Sequence, residues 1–144
     1  MTVLSIDPGE RVGVAKWSDL GKLRMNTTML LLDFEEYLTL DGWSDGEPIN
    51  AVVLEDWRLR QGKQIAQTGS RMLTSQCIGM VRLFAKLHGA ALILQDPSIL
   101  RLTAMHANIK LPKGHIKDEM SAYLHGYYFF ESQGLLKGVS RVLD

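Results

Sequence analysis

Residues 3–17 read VLSIDPGERVGVAKW, and they contain two β-like runs separated by turn-forming residues. The first run, residues 3–6, is apolar and ends at Asp7-Pro8-Gly9, and the second run occupies residues 12–17. The sequence therefore predicts two strands joined by a tight turn, with Asp7 at the end of the first strand.

The next segment predicts a third strand, a helix and a fourth strand. Residues 22–32 have a β-like pattern, and Asp33 is placed to cap a helix over residues 34–40. After a polar loop, residues 51–54 form a compact apolar run of the kind found in buried parallel strands. This run ends at Glu55.

The second half of the chain alternates helix, strand and helix. Apolar residues recur at helical spacing from about residue 64 to residue 87, and Gly69 and Gly79 interrupt that helix. Glycine on a helix face favours close contact with a second helix, so we expect a dimer contact here. Residues 90–94 predict another buried strand, and residues 115–130 predict a final helix.

This order of elements predicts an α/β fold with a mixed five-stranded sheet flanked by helices, in a single domain over residues 1–144. Strands that a helix separates are expected to run parallel. In such folds, ligand chemistry gathers where the central strands end. Asp7 and Glu55 occupy two of these positions.

Composition excludes several classes of protein. Of the 144 residues, 46% are hydrophobic and 22% charged, which excludes a disordered or collagen-like chain. No apolar run approaches the roughly 18 residues that cross a bilayer, and the first residues lack the basic flank of a signal peptide. Cys77 is the single cysteine, so an internal disulfide is excluded. We expect a soluble intracellular protein with no membrane partner.

The net charge of zero conceals a strong asymmetry along the chain. Residues 1–56 hold 4 basic and 11 acidic residues, whereas residues 57–117 hold 10 basic residues and one acidic residue. A basic face of this kind favours nucleic acid, because neutralising phosphates releases counterions. The alternative interpretation is that these lysines and arginines only solvate helix surfaces.

The candidate site is a set of carboxylates with an imidazole. Asp7 and Glu55 end predicted strands, while His115 and Asp118 are three residues apart on the predicted last helix, with His125 farther along that face. Oxygen-rich sets suit Mg²⁺ or Mn²⁺ better than zinc. Two such ions activate a water and stabilise both oxygens of a phosphodiester displacement.

Each of these residues also has a structural interpretation. Asp7 can serve the turn before Pro8, and Glu55 can be a solvated strand end. His115 and Asp118 can be favourable groups at the start of a helix, and Glu119 is an alternative ligand to Asp118.

We expect DNA phosphates to contact a set of basic residues, which consists of Arg58, Arg60, Lys63, Arg71, Arg101, Lys113 and Lys117.

Several motifs of the chain resemble those of a known family. Residues 6–9 (IDPG) with residues 13–15 (GVA), residues 53–55 (VLE) and residues 115–118 (HIKD) resemble the successive active-site motifs of the RuvC family of Holliday-junction resolvases. That family lies within the RNase H-like superfamily. The resemblance spans nearly the whole chain and keeps the order of the motifs.

The resemblance implies an RNase H-like fold and a metal-dependent endonuclease that hydrolyses phosphodiester bonds of Holliday junctions and other branched DNA. It implies that Asp7, Glu55, His115 and Asp118 form a catalytic tetrad binding two Mg²⁺ ions, with Mn²⁺ as a substitute. Asp7 is expected to bridge the ions. It also implies a homodimer through the long helix around residues 64–87, with two sites that cut opposing strands of a four-way junction.

The chain departs from the family in two respects. It is shorter than typical bacterial members, and the loop before His115 matches the basic segment of the family only loosely. These departures favour a compact phage-type member that acts in the cytoplasm of a bacterial host and also cuts flaps and forks. The rival interpretations are a nuclease that processes structured RNA, a non-catalytic junction-binding module and, least favoured, an ATP-binding domain.

Overall fold

The structure is a computed structural model that describes residues 1–56 and 69–134, with all side chains except those of Leu20 and residues 69–71. The strands are β1 (Thr2–Asp7), β2 (Arg11–Ser18), β3 (Lys22–Leu30), β4 (Ile49–Glu55) and β5 (Ala91–Gln95). The α-helices are α1 (Leu31–Thr39), α2 (Gly69–Leu87), α3 (Leu100–His106) and α4 (Asp118–Ser132). Within the described residues, no helix is both long and apolar enough to span a membrane.

The strands form one mixed sheet in the order β3-β2-β1-β4-β5. Strands β1, β2 and β3 pair antiparallel, as hairpin neighbours do, whereas β1 pairs parallel to β4 and β4 pairs parallel to β5. A helix-containing connection separates each parallel pair, as such pairs require. The predicted α/β fold with a mixed five-stranded sheet is confirmed.

Alternating strand side chains fill a separate core on each face of the sheet. One face of the sheet packs against α1 and α2. The buried residues of this core are Leu4, Ile6, Val52 and Leu54 from the strands and Phe34, Leu38, Cys77, Val81 and Phe84 from the helices. On the other face, Val3, Ala15, Ala51 and Val53 pack with Trp17 and with Tyr127, Phe129 and Phe130 of α4. Continuing this alternation directs Asp7 and Glu55 toward the α4 face.

Two glycines let α4 approach the sheet closely. A Cβ atom built on Gly13 would overlap the carbonyl oxygen of Asp118, and one built on Gly126 would overlap the Trp17 indole. Beside them, Trp17 Nε1 donates to Ser5 Oγ at 2.9 Å, and Ser5 Oγ donates to the Ala122 carbonyl oxygen at 2.6 Å. The start of α4 is thereby fixed against β1 and β2.

The first helix differs from its prediction. It begins at Leu31 rather than at residue 34, its N-cap is Leu30 with no side-chain cap, and Asp33 lies inside the first turn. The ladder between β2 and β3 ends with the pair Arg11 and Leu30, so no partner remains to extend β3 to residue 32. The Leu31 amide instead donates to the Glu10 carbonyl oxygen at 3.1 Å.

The last helix also begins later than predicted, at Asp118 rather than at His115. Lys117 is its N-cap, with extended backbone at ψ 143°. Ile116 belongs to the apolar face of the predicted helix. In the structure it lies in the segment before α4 and packs from there against the cluster that contains Leu124. An apolar residue at helical spacing therefore contacts the core without being helical. Of the other predicted helix, residues 64–68 lie outside the described residues.

Candidate active site

The carboxylates of Asp7 and Glu55 extend from the same end of two neighbouring strands. In the parallel pair of β1 and β4, Ile6 pairs with Leu54, so Asp7 and Glu55 come next on each strand. Both side chains continue the alternation that faces α4. Both residues are partly buried. The topology thus brings two acidic groups together at the edge of a core.

Helix α4 adds polar groups from one of its faces. Asp118, Ser121 and His125 follow at spacings of three and four residues, which places them on one side of the helix. Ser121 Oγ donates to Glu55 Oε2 at 3.0 Å, and His125 Nε2 lies 2.9 Å from the same oxygen. This face of α4 therefore covers the ends of β1 and β4.

The electrostatics of Asp7 reflect this crowding. The pKa of Asp7 is raised to about 8: burial is the largest cause, the negative charges of Glu55 and Asp118 add to it, and a hydrogen bond with Ser121 opposes them. An unneutralised carboxylate pair of this kind gains stability from any cation bound between its members. Carboxylate oxygens are hard ligands, and this donor chemistry suits Mg²⁺ or Mn²⁺.

Asp118 has a milder version of the same environment. Burial raises its pKa, and Glu119 and Glu55 add to the shift, while the charges of His115 and Arg11 oppose it. Asp118 is thus electrostatically linked to the carboxylates on the strands. Its backbone is the segment that lies against Gly13.

Glu119, the alternative ligand, is engaged elsewhere. Its Oε2 accepts a hydrogen bond from Thr28 Oγ1 of β3. That bond lowers the pKa of Glu119. The contact ties the first turn of α4 to β3, on the far side of β2 from β4.

His115 does not share a helix face with Asp118, because it precedes α4. Its side chain is 83% exposed, and its Nε2 lies 3.9 Å from Asp118 Oδ1. The predicted helical pairing of these two residues is therefore wrong, although the side chains remain neighbours. Within residues 1–56 and 69–134, no three His, Cys, Asp or Glu side chains are gathered into a group that could hold a metal ion.

The predicted DNA contacts fall into two groups. Arg58, Arg60 and Lys63, together with Trp57, lie outside the described residues, and Arg71 lies in α2 without a described side chain. Arg101 is exposed on α3, and Lys113 and Lys117 are exposed in the segment before α4. That segment borders a cavity of about 460 Å³, which is lined by Lys110, Leu111, Pro112, Lys117 and Met120.

Two polar residues of the site, Gln95 and Ser121, have no role in the sequence-based prediction. The sequence places His125 on the same helix face as Asp118 and leaves a supporting role for it open. Gln95 is buried at the end of β5 and pairs with Glu55 across the strands. The sequence contains a signal for Gln95. This polar residue ends an apolar strand, and the same pattern singled out Asp7 and Glu55.

Comparison with known proteins gives matches to solved structures. No protein-family model matches the sequence, and no curated protein matches it. The structure of T. thermophilus RuvC in complex with a Holliday junction substrate matches at a TM-score of 0.65 and 14% identity, covering 94% of this chain and 97% of that chain. A second Thermus thermophilus RuvC structure matches at a TM-score of 0.63 and 15% identity, covering 93% and 96% of the two chains.

These matches extend over nearly the full length of both chains, and the identity is low enough that they bear on the fold alone. The chain therefore has a RuvC-like fold of the RNase H-like type.

Proposed function

We propose that this protein is a metal-dependent endonuclease that resolves Holliday junctions and cuts other branched DNA by phosphodiester hydrolysis. One observation carries the proposal: Asp7 and Glu55 lie at adjacent strand ends of a RuvC-like fold, crowded enough to raise the pKa of Asp7 to about 8. A RuvC with this fold was solved in complex with a Holliday junction substrate.

Asp7, Glu55, Asp118 and His115 are the residues that would hold the metal, two Mg²⁺ ions or Mn²⁺ in their place. Bound divalent ions supply Lewis acidity to a phosphodiester and favour deprotonation of water. Asp7 must release its proton to act as a ligand, which its raised pKa opposes until a cation binds. Ser121 orients Glu55 through its hydroxyl.

The basic residues would hold the DNA backbone against this acidic site. Lys113 and Lys117 are exposed immediately before Asp118, and Arg101 is exposed on α3. Such contacts position a phosphate backbone and carry no sequence information. We propose the same role for Arg58, Arg60, Lys63 and Arg71, with preference among substrates arising from the deformability of the junction. The protein would act in the cytoplasm, where it meets DNA.

A homodimer would provide two sites for the two strands of a junction. On α2, Met72, Gln76, Gly79, Leu83 and Leu87 are exposed and recur at intervals of three or four residues. They form one continuous stripe, which we call the α2 stripe. A Cβ atom on Gly79 would meet nothing within 4 Å, so a partner helix has room to approach. We propose that a second copy of this chain covers the stripe.

Cleavage of labelled DNA tests the proposal. A four-way junction, a flap and a plain duplex are incubated with Mg²⁺, Mn²⁺ or EDTA, using the wild-type protein, Asp7→Asn and the exposed control Asp33→Asn. We expect metal-dependent, paired nicks in the junction, lost in Asp7→Asn and kept in Asp33→Asn, with junction affinity preserved in all three.

Other outcomes would replace the proposal. Cutting of a structured RNA in preference to every DNA would identify an RNA-processing nuclease. Tight junction binding without cutting under either metal would identify a binding module in which the acids are structural.

A further inference from the structure

The two oxygens of Glu55 have different environments. Oε2 accepts a hydrogen bond from the Ser121 hydroxyl at 3.0 Å and lies 2.9 Å from His125 Nε2. Within the described part of the chain, Oε1 has no hydrogen-bond partner. One oxygen of the carboxylate is therefore held by α4.

The imidazole of His125 is itself held on both sides. The residue is completely buried, and its Nδ1 lies 2.9 Å from Oε1 of Gln95, which is also buried. A carboxylate only accepts, so the hydrogen of this contact belongs to His125 Nε2, which donates to Glu55. The side-chain amide of Gln95 can present its accepting oxygen to Nδ1 or, with its two ends exchanged, its donating N–H group, so it can pair with a ring nitrogen of either kind.

The three residues come from three different elements that meet at one place. Glu55 and Gln95 are paired residues at the ends of β4 and β5, and His125 extends from α4. Filling this space does not require the hydrogen-bonded series of Glu55, His125 and Gln95, because apolar residues of similar shape stabilise a core equally well or better. This series ends at a carboxylate of the proposed site.

We infer that Gln95 and His125 form a clamp that orients Glu55 toward the metal. This inference rests on the proposed metal-dependent function. His125 is a positioning residue: it acts on Glu55 rather than on DNA or metal, and it does so by fixing the rotamer of Glu55 through Oε2. Partners of this kind, one bond away from a metal ligand, are worth about 10- to 100-fold in metal affinity or activity.

The test uses four variants of the full chain. His125→Leu removes the donor and keeps an apolar volume, His125→Gln keeps an N–H donor, and Gln95→Leu removes only the outer partner. The matched control is His106→Leu, because exposed His106 makes a comparable contact to Glu131, 2.7 Å between Nδ1 and Oε1, on another part of α4. Circular dichroism and thermal melting establish that each variant folds.

Metal binding is measured directly by calorimetry with Mn²⁺ in the absence of DNA, and the Mg²⁺ concentration for half-maximal cleavage is measured separately. We expect His125→Leu to weaken Mn²⁺ binding about tenfold or more and to raise the Mg²⁺ requirement by a similar factor. His125→Gln should recover most of this loss, Gln95→Leu should show a smaller loss, and His106→Leu should show none. Junction affinity in EDTA should stay unchanged in all four.

A folded His125→Leu that binds Mn²⁺ as tightly as the wild type would overturn the clamp. If His125→Leu does not fold, Gln95→Leu decides, and an unchanged Mn²⁺ affinity there overturns it. A loss of affinity that His125→Gln does not reduce would mean that packing, and not the donor, is responsible, which also overturns it. Failure of the wild-type protein both to bind Mn²⁺ and to cut any substrate would instead refute the proposed function itself.

Discussion

Asp7 couples the stability of the protein to pH. In the folded chain, burial and the charge of Glu55 raise its pKa from 3.8 to about 8, so the native state binds this proton more tightly than the unfolded state. The free energy of unfolding contributed by Asp7 therefore falls as pH rises from about 4 to about 8 and levels off above that range.

Replacing Asp7 with Asn removes that dependence. Without metal, Asp7→Asn should melt several degrees above the wild type at pH 9 and close to it at pH 4, because only the charged carboxylate is penalised. Thermal melts in EDTA at pH 4, 6 and 9 measure this, with Asp33→Asn as control. A difference between Asp7→Asn and the wild type that did not change with pH would contradict the assignment. Adding Mg²⁺ should raise the melting temperatures of the wild type and of Asp33→Asn, but not that of Asp7→Asn.

Gly13 is required by the close approach of α4. In Gly13→Ala the new methyl group would overlap the Asp118 carbonyl oxygen, so α4 must move away from β2. Overpacking of this kind costs about 1–3 kcal/mol or more. Urea denaturation should show that loss for Gly13→Ala. Gly114→Ala is the control, because a Cβ atom there meets nothing within 4 Å, and an equal loss in both variants would refute the explanation.

At the scale of elements, the strands were predictable and the helix starts were not. The apolar run of residues 3–6, the β-like run of residues 12–17 and the compact apolar run of β4 predict their strands because the sheet is buried on both faces. Helix α4 begins only where Gly13 admits Asp118, and this is a tertiary contact that no local pattern contains. Ile116 has helical spacing and packs against the core from outside the helix, which moved the predicted start to His115.

The same contrast applies to the candidate site. Asp7 and Glu55 could be found because strand ends in α/β folds are where ligands gather. Ser121 and His125 interrupt the apolar pattern of α4, and in the sequence such interruptions look like ordinary variation, whereas Gln95 ends an apolar run and could have been singled out as Glu55 was. Their role emerges only when β4, β5 and α4 come together around Glu55.

Helix α2 contributes a thiol that should be inert. Cys77 is completely buried against the core, and burial raises its pKa to about 11, which the Gly9 backbone N–H only partly opposes. Since the thiolate is the reactive form, iodoacetamide at pH 8 should label the folded protein far more slowly than the urea-unfolded protein. Mass spectrometry over time measures both rates. Comparable rates would mean that α2 does not cover the Asp7-Pro8-Gly9 turn.

At the scale of the whole molecule, the proposed dimer depends on the α2 stripe. Leu83 belongs to the stripe and is 57% exposed, so Leu83→Glu should convert the proposed dimer into a monomer by placing a charge in the interface. Leu32→Glu is the control, because Leu32 is 75% exposed and belongs to α1 rather than to the stripe. Sedimentation at micromolar concentration distinguishes the two states.

The same variant has a consequence for cleavage. A monomeric Leu83→Glu should cut four-way junctions by single, uncoordinated nicks, because nothing would hold a second site on the opposing strand. Wild-type protein that sediments as a monomer on a junction would contradict the dimer and leave the site assignment intact.

The alternation of side chains along β1, β4 and β5 also limits where the length of this chain can change. Deleting one residue within β1 would turn Asp7 toward α1 and α2, and would bring a core residue to the α4 face in its place. The exposed residues 44–48, between α1 and β4, are free of that constraint. Insertions and deletions among chains with this fold should accumulate in that loop, while the strands that lead to Asp7, Glu55 and Gln95 keep the parity of their lengths.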